Sequence, residues 1–341
     1  LPSDGSAIYR PSAKRMAERG LNARCATEIV KCLKEDQFKL GYQPIVNAAT
    51  GEVVMHEALL RMADADGKLI PAGHLIPVAE KLGLVRLIDR AVAQMTISSL
   101  HNYPEARLSM NVSGSTATDP RWFNQLTEII AANQTIASRL TVEITETIAL
   151  GDLKETFSFV EALRNIGCSV AIDDFGAGFT SFRNLRDLPV SIVKLDGSFS
   201  RGLKENAANQ YLVRTLVELT HKFELKAIAE WVETPEDAEI LRDCHIDFMQ
   251  GKLFGDVAMT LPWASKEEQG FTSLDTPRQP AAVEQATPFT QSVAPVEMPV
   301  APESADMEEG LSRLKLAIKA LDDQFRGSPA FSHDLPLAEA G

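Results

Sequence analysis

The chain has 341 residues, of which 47 are acidic and 34 basic, and its formal net charge is −13. No stretch is rich in lysine and arginine, so the composition argues against duplex nucleic acid as the main partner. No apolar run approaches the roughly 20 residues that span a bilayer, and no secretory signal is visible. We therefore predict a cytoplasmic protein with no membrane segment in this chain. The first residue is Leu1 rather than Met, so we leave open whether a sensor or membrane segment precedes this chain.

Residues 1–37 are predicted to be a lead-in segment with a helix, and one domain is predicted over 38–263. Within that domain, short apolar runs alternate with longer amphipathic stretches, which is typical of βα units. We predict eight strands, which start at residues 38, 53, 107, 139, 169, 191, 225 and 246. The predicted helices cover about 23–36, 74–82, 85–100, 120–133, 152–166, 205–223 and 234–243, with a short one at 180–187.

Seven of the apolar runs end in a carboxylate, an amide or a lysine. A parallel barrel gathers the carboxyl ends of its strands at one face, and its active site lies there. The side chains that would converge are Glu57, Asn111, Glu143, Asp173, Asp174, Lys194, Glu230, Glu233 and Gln250. So many carboxylates repel each other unless cations neutralise them. Oxygen ligands without nearby Cys or His favour Mg²⁺ or Mn²⁺ over zinc, so we predict a metal-dependent site at this face.

Several of these polar residues also have a plainer structural interpretation. Asp173 and Asp174 could cap the following helix. Lys194 could point outward at the surface, although its apolar neighbours favour burial beside the carboxylates that would compensate its charge. Gln250 is the least decisive, because a Gln before a Gly is common in turns. His56 falls on the opposite face of its strand and is predicted to be a packed core histidine rather than a ligand or base.

Eight segments of the chain resemble, in order and spacing, the EAL domain of bacterial cyclic di-GMP phosphodiesterases. They are YQPIV (42–46), EALLR (57–61), MNVS (110–113), VEITE (142–146), DDFGAGFTS (173–181), VKLDGSF (193–199), AEWVET (229–234) and QGKLF (250–254). The resemblance runs from about Phe38 to Asp256. It implies an α/β fold, a modified (β/α)8 TIM-type barrel whose first strand is antiparallel to the others. It also implies hydrolysis of one phosphodiester bond of cyclic di-GMP to linear pGpG.

The resemblance further implies a two-metal site that uses Mg²⁺ or Mn²⁺. One metal would be held by Glu57, Asn111, Glu143 and Asp173, and the second side would be formed by Asp173, Asp174 and Glu230. The implied catalytic residues are Glu57, Asp174, Lys194, Glu230 and Glu233. The implied substrate contacts are Gln43, Arg61, Asp196 and Gln250. Two such cations about 4 Å apart lower the pKa of a bridging water and stabilise the oxyanions of an in-line displacement.

The chain departs from the family pattern at the rim of the expected site. Trp231 replaces the glycine of the usual EGVET, Lys252 replaces the aromatic residue after QG, and residues 255–257 replace the usual SRP. On strict strand alternation Trp231 points away from Glu230, but if the strand has already ended the indole could crowd the ligand. We therefore keep an alternative to the phosphodiesterase: a non-catalytic cyclic di-GMP receptor or scaffold. A phosphodiesterase for another nucleotide is a third possibility.

The composition changes after about residue 264. Scattered prolines over 264–307 predict a disordered linker. An apolar seam predicts an amphipathic helix over 308–326, and 327–341 is predicted to be a disordered tail. The seam residues are Leu311, Leu314, Ile318, Leu321 and Phe325. This helix either packs back onto the barrel or docks onto a partner protein or a second copy of the chain, and we expect a homodimer.

Overall fold

The structure, a computed structural model, describes seven parts of the chain: 13–63, 68–117, 119–131, 134–146, 148, 153–176 and 182–264. The predicted linker, amphipathic helix and tail lie outside these residues, as does the loop 177–181. Within the described parts, no helix is both long and apolar enough to cross a membrane.

A closed barrel of eight strands forms the centre of the molecule, with a ninth short strand beside it. The strands are β1 (Phe38–Asn47), β2 (Val53–Ala63), β3 (Leu69–Pro71), β4 (Leu108–Asn111), β5 (Leu140–Thr145), β6 (Ser169–Phe175), β7 (Ile192–Leu195), β8 (Lys226–Ala229) and β9 (Phe248–Gln250). β1 is antiparallel to both of its neighbours, β2 and β9, and so closes the barrel. β2 and β4–β9 are parallel to one another, and β3 pairs antiparallel with the end of β2. The predicted modified barrel with an antiparallel first strand is therefore confirmed.

Helices cover the outside of the barrel. They are α1 (Ala13–Lys34), α2 (Ile76–Leu82), α3 (Val85–Asn102), α4 (Gly114–Ala117), α5 (Pro120–Ala131), α6 (Gln134–Ala137), α7 (Leu153–Asn165), α8 (Phe182–Asp187), α9 (Gly197–Ser200), α10 (Ala207–Lys222) and α11 (Pro235–Asp243). Single 3₁₀ turns cover Ala72–His74 and Leu203–Glu205. α1 starts ten residues earlier than predicted, because its first turns consist of good helix formers without an apolar face.

The apolar core is divided by the barrel wall. A large cluster lies between the sheet and the helices. A second, smaller cluster consists of the inward-facing residues Ile45, Ala171, Ile192 and Ile228. We call these four residues the barrel floor. Because side chains alternate along a strand, the residues two positions beyond the floor on the parallel strands also point into the barrel, toward its carboxyl end.

Candidate active site

Polar side chains stand on the barrel floor. Asp173 on β6, Lys194 on β7 and Glu230 just after β8 each lie two residues beyond a member of the floor. Glu57 of β2 and Glu143 of β5 reach the same point from the other side of the barrel. Strand alternation thus explains why residues far apart in sequence form one group, which we call the acidic cluster.

Lys194 lies at the centre of the acidic cluster and is 1% exposed. Its Nζ is 2.7 Å from Glu143 Oε2, 2.7 Å from Glu230 Oε1, 3.0 Å from Asp173 Oδ1 and 3.4 Å from Glu57 Oε2. Burial alone would lower the pKa of this ammonium, but the surrounding carboxylates raise it well above its ordinary value. The alternative of an outward-pointing surface lysine is therefore wrong.

One ammonium does not balance the carboxylates around it. Burial raises the pKa of Glu143 and of Glu230 to about 8, and the neighbouring carboxylates add to the shift against the opposing effect of Lys194. The pKa of Asp174 is also raised, first by burial and then by the charge of Asp173. The site therefore has room for further positive charge.

Glu57 differs from its neighbours because hydrogen bonds hold its charge. Gln250 Nε2 donates to Glu57 Oε2 at 2.7 Å, and Asn111 Nδ2 donates to Glu57 Oε1 at 2.8 Å. Burial raises the pKa of Glu57, but Lys194 and these two amides outweigh it, so the pKa lies below its ordinary value. Gln250 Nε2 also donates to Gln43 Oε1 at 3.1 Å, which brings four of the predicted site residues into one network.

The donor set fits a divalent cation. Oxygens of Asp173, Asp174 and Glu230 lie within 4.8 Å of one another. Asp173 Oδ1 is buried and has no hydrogen-bond partner among the described residues, although it pairs in charge with Lys194. Carboxylate oxygens of this kind are the ligands that Mg²⁺ and Mn²⁺ prefer. Asp173 and Asp174 lie within β6, and Asp173 pairs with Lys194, so the described contacts favour a place in the acidic cluster over the alternative of helix capping.

The acidic cluster lies beneath a cavity of about 1170 Å³. The predicted site residues that line it are Gln43, Glu57, Arg61, Asn111, Asp173, Asp174, Asp196, Glu230, Glu233 and Gln250. Glu143 and Lys194 are buried below this surface, at 1% exposure each. Of the predicted substrate contacts, Asp196 caps α9 by accepting a hydrogen bond from Ser198 N at 2.9 Å.

Glu233 lies at the rim of the cavity rather than within the acidic cluster. Its Oε1 is 3.9 Å from Arg201 Nη2 and 4.0 Å from Lys252 Nζ, and its side chain is 41% exposed. β8 has ended at Ala229, so strand alternation does not continue to this position.

Trp231 stands at the same rim. β8 has ended at Ala229 and the φ of Trp231, 54°, lies in the left-handed region, so of the two alternatives left open at this position strict strand alternation does not apply. Its indole lines the cavity and is 53% exposed. The guanidinium carbon of Arg201 lies 4.1 Å from the ring centroid, a cation–π contact.

Two buried acids near the site were not predicted. Glu146 Oε2 accepts a hydrogen bond from Gly176 N at 2.7 Å and so ties the end of β5 to the turn after β6. Its place at the end of the VEITE segment was an available signal. Asp89 Oδ2 accepts bonds from Ser113 N at 3.0 Å and Ser113 Oγ at 2.6 Å, and burial raises the pKa of Asp89 to about 6. A charged residue on the apolar face of α3 was its only signal.

His56 lies away from the acidic cluster, as predicted. It is 6% exposed, and burial lowers its pKa. Its ring meets Trp263 edge to face, with ring centroids 6.0 Å apart. Both residues therefore belong to the packing outside the barrel wall.

Comparisons with known proteins converge on one family. The sequence profile of the EAL domain matches residues 26–256. The cyclic di-GMP phosphodiesterase PdeF of Escherichia coli (strain K12) is 32% identical over 229 residues, which cover 66% of this chain and 30% of that protein. The cyclic di-GMP phosphodiesterase NbdA of Pseudomonas aeruginosa is 31% identical over 246 residues, which cover 71% of this chain and 31% of that protein. The matched region thus spans less than a third of the length of either relative.

Solved structures give the same result. The PaMucR phosphodiesterase in its c-di-GMP complex has a TM-score of 0.61 and 30% identity, covering 65% of this chain and 97% of that chain. The FimX EAL domain from Pseudomonas aeruginosa, bound to c-di-GMP, has a TM-score of 0.64 and 25% identity, covering 69% and 97%.

Proposed function

The chain belongs to the EAL domain family, and from this premise we propose that it hydrolyses one phosphodiester bond of cyclic di-GMP to give linear pGpG. The proposal is carried by the acidic cluster of Glu57, Glu143, Asp173 and Glu230 around Lys194. The cluster opens to a cavity of about 1170 Å³, somewhat above the range of about 300–1,000 Å³ that is usual for small-molecule sites. Such a cavity suits a ligand as large as a cyclic dinucleotide.

Two Mg²⁺ or Mn²⁺ ions would supply activation of the attacking water and neutralisation of the developing charge when bound. The residues that would hold one ion are Glu57, Asn111, Glu143 and Asp173. The residues that would hold the other are Asp173, Asp174 and Glu230.

The chain's own residues prepare the site for this chemistry. Lys194 keeps the carboxylates together and places a positive charge where a phosphate would otherwise meet only negative groups. Gln250 orients Glu57 through Nε2, while its buried Oε1 has no hydrogen-bond partner among the described residues. That oxygen is free to accept a hydrogen bond from the attacking water or the ligand.

Ligand binding is assigned to the wall of the cavity. Arg61 brings a permanent positive charge to the wall, and an arginine can hold a phosphate by paired hydrogen bonds. Gln43 lies on the neighbouring strand β1, opposite Glu57, and is joined to Gln250. Asp196 and Glu233 also line the cavity. There they would either contact the ligand directly or support the loop that surrounds it.

A product assay tests the proposal. The full chain is incubated with cyclic di-GMP and either Mg²⁺ or Mn²⁺, and pGpG is measured by chromatography. We expect pGpG only with added metal, because oxygen ligands hold Mg²⁺ loosely and EDTA removes it. Full turnover after exhaustive chelation would contradict the two-metal mechanism.

A second candidate function is a cyclic di-GMP receptor without efficient turnover. Trp231, directly after Glu230 and exposed on the cavity wall, is the observation that favours it. Saturable binding of cyclic di-GMP with no pGpG in either metal would establish the receptor. Absence of both binding and product would contradict both candidates.

A further inference from the structure

An exposed tryptophan stands between two buried residues at the mouth of the cavity. Glu230 is 8% exposed and Val232 is 0% exposed, whereas Trp231 between them is 53% exposed. A lone exposed apolar residue is ordinary on a protein surface. This one also lines the cavity and directly follows a member of the acidic cluster, which sets it apart from Trp263.

The backbone that carries Trp231 is held in place. Val232 N donates to Gln250 O at 3.0 Å, and Leu253 N donates to Val232 O at 3.2 Å. Glu230 on the other side is bound to Lys194 at 2.7 Å. The position of the Trp231 backbone relative to the acidic cluster is therefore held by contacts of the residues on both sides.

The indole is supported from outside the cavity. Arg201 stacks on it at 4.1 Å, and Gly197 lies so close that an added Cβ would be 2.3 Å from Trp231 Cδ1. Among the described residues, Trp231 lines the cavity and these two do not. Because Arg201 and Gly197 contact the ring from outside the cavity, the ring surface on the cavity side is left for a ligand. The same contacts order the ring before a ligand binds.

The conformation of Trp231 costs stability. A bulky side chain at a φ of 54° is strained, and such strain is of order 1–3 kcal/mol. Glycine would adopt this conformation without strain. Strained residues concentrate at ligand-binding sites, so an exposed indole in this conformation on a cavity wall points to a ligand.

We infer that Trp231, backed by Arg201, stacks on a purine base of the nucleotide bound in the cavity and so sets ligand affinity. This inference rests on the proposed function, because it assumes a nucleotide whose phosphate reaches the acidic cluster. An aromatic face accepts any purine, so Trp231 contributes affinity and orientation for the base rather than discrimination between bases.

The test measures the affinity of the full chain for cyclic di-GMP by titration. The titration is done in Ca²⁺, which takes the place of the proposed Mg²⁺ or Mn²⁺ at the same oxygen ligands. Trp231→Leu and Trp231→Gly are expected to weaken binding roughly 5- to 150-fold, the loss of one base–aromatic stack. Trp231→Phe keeps an aromatic face and is expected to retain most of the affinity. Tryptophan emission should be quenched by the ligand in the parent chain and not in the Trp231 variants.

Trp263→Leu is the matched control, because Trp263 is also exposed but packs on His56. It should leave both affinity and quenching unchanged. The melting temperature of Trp231→Gly should equal or exceed that of the parent chain, which separates lost stacking from lost folding. If the parent binds cyclic di-GMP and the Trp231 variants bind equally or more tightly, the indole is neutral or obstructs the ligand and the stacking inference fails alone. If the parent does not bind, both the inference and the proposed function fail.

Discussion

At the scale of single residues, the negative groups of the acidic cluster outnumber its positive group. One ammonium, that of Lys194, faces four carboxylates at 2.7–3.4 Å. In the absence of metal, Glu143 and Glu230 with a pKa of about 8 hold protons at neutral pH. A divalent cation must therefore displace protons to reach its ligands.

This displacement predicts how metal affinity changes with pH. The folded pKa of Glu143 and of Glu230 is raised to about 8, so both acids hold a proton below that pH. We expect the affinity for Mn²⁺ to rise from pH 6 to about pH 8 and then to level. Calorimetric titration in two buffers of different ionisation enthalpy should show net proton release at pH 7. An affinity constant across this range, without proton release, would show that these acids are not displaced by metal.

A second prediction concerns Glu57. Glu57→Ala should abolish hydrolysis and lower the free energy of unfolding by about 1–3 kcal/mol, because buried donors of Gln250 and Asn111 lose their acceptor. Turnover and thermal melting are measured on the same preparation, and the exposed Glu218→Ala serves as the control. Near-parental turnover in a folded Glu57→Ala protein would refute the role assigned to Glu57.

At the scale of elements, the segments after β8 and β9 lie against each other at the cavity mouth. Val232 exchanges backbone hydrogen bonds with Gln250 and Leu253 across this contact. An added Cβ on Gly251 would lie 2.1 Å from Val232 O and 2.3 Å from Val232 N. Backbone atoms cannot move aside cheaply, so the close approach depends on a glycine.

Gly251→Ala is therefore expected to separate the two segments. We predict a loss of about 1–3 kcal/mol in the free energy of unfolding and a lower melting temperature, as for an overpacked core. Gly20→Ala in α1 is the matched control, since its added Cβ meets nothing within 4 Å and alanine favours a helix. Equal melting temperatures for the parent and Gly251→Ala proteins would contradict the close contact.

The same elements show what could be predicted from sequence. The barrel strands begin within two residues of their predicted starts, because each is an apolar run bounded by polar turns. The rule that parallel strands end at one face of a barrel also accounts for the contact between Asp173 and Lys194, since both lie on strands. The rule did not bring Glu233 into the acidic cluster, and strict alternation did not apply at Trp231, because β8 has ended and the backbone at Trp231 turns through the left-handed region. β3, α4, α6 and α9 have three or four residues each and are too short to show periodicity.

At the scale of the whole molecule, the barrel strands lie between Phe38 and Gln250, as do all the residues proposed to bind metal. The last described residues pack on the barrel, since Leu261 is 1% exposed and Ala264 is 8% exposed. In sequence, the predicted helix over 308–326 follows every residue that is proposed to act in the chemistry.

A chain that ends after Ala264 tests this separation. We predict that it keeps hydrolysis per active site and loses an assembly or partner-binding property of the full chain. Light scattering compares the molar masses of the two chains, and the phosphodiesterase assay compares their turnover. Loss of all activity in a truncated chain that still melts cooperatively would assign the tail to the catalytic machinery.

The antiparallel first strand also makes closure of the barrel depend on contacts that are distant in sequence. β1 bonds to β9, and Gln43 meets Gln250 across 207 residues of sequence. Contacts so distant in sequence require a large loop to close, which slows folding. β1 is synthesised before β9, so the edge of β1 that pairs with β9 has no partner until the rest of the barrel has been made. The hydrogen bond between Gln250 and Glu57 joins strands on either side of β1, so the orientation that Gln250 gives to Glu57 requires the closed barrel.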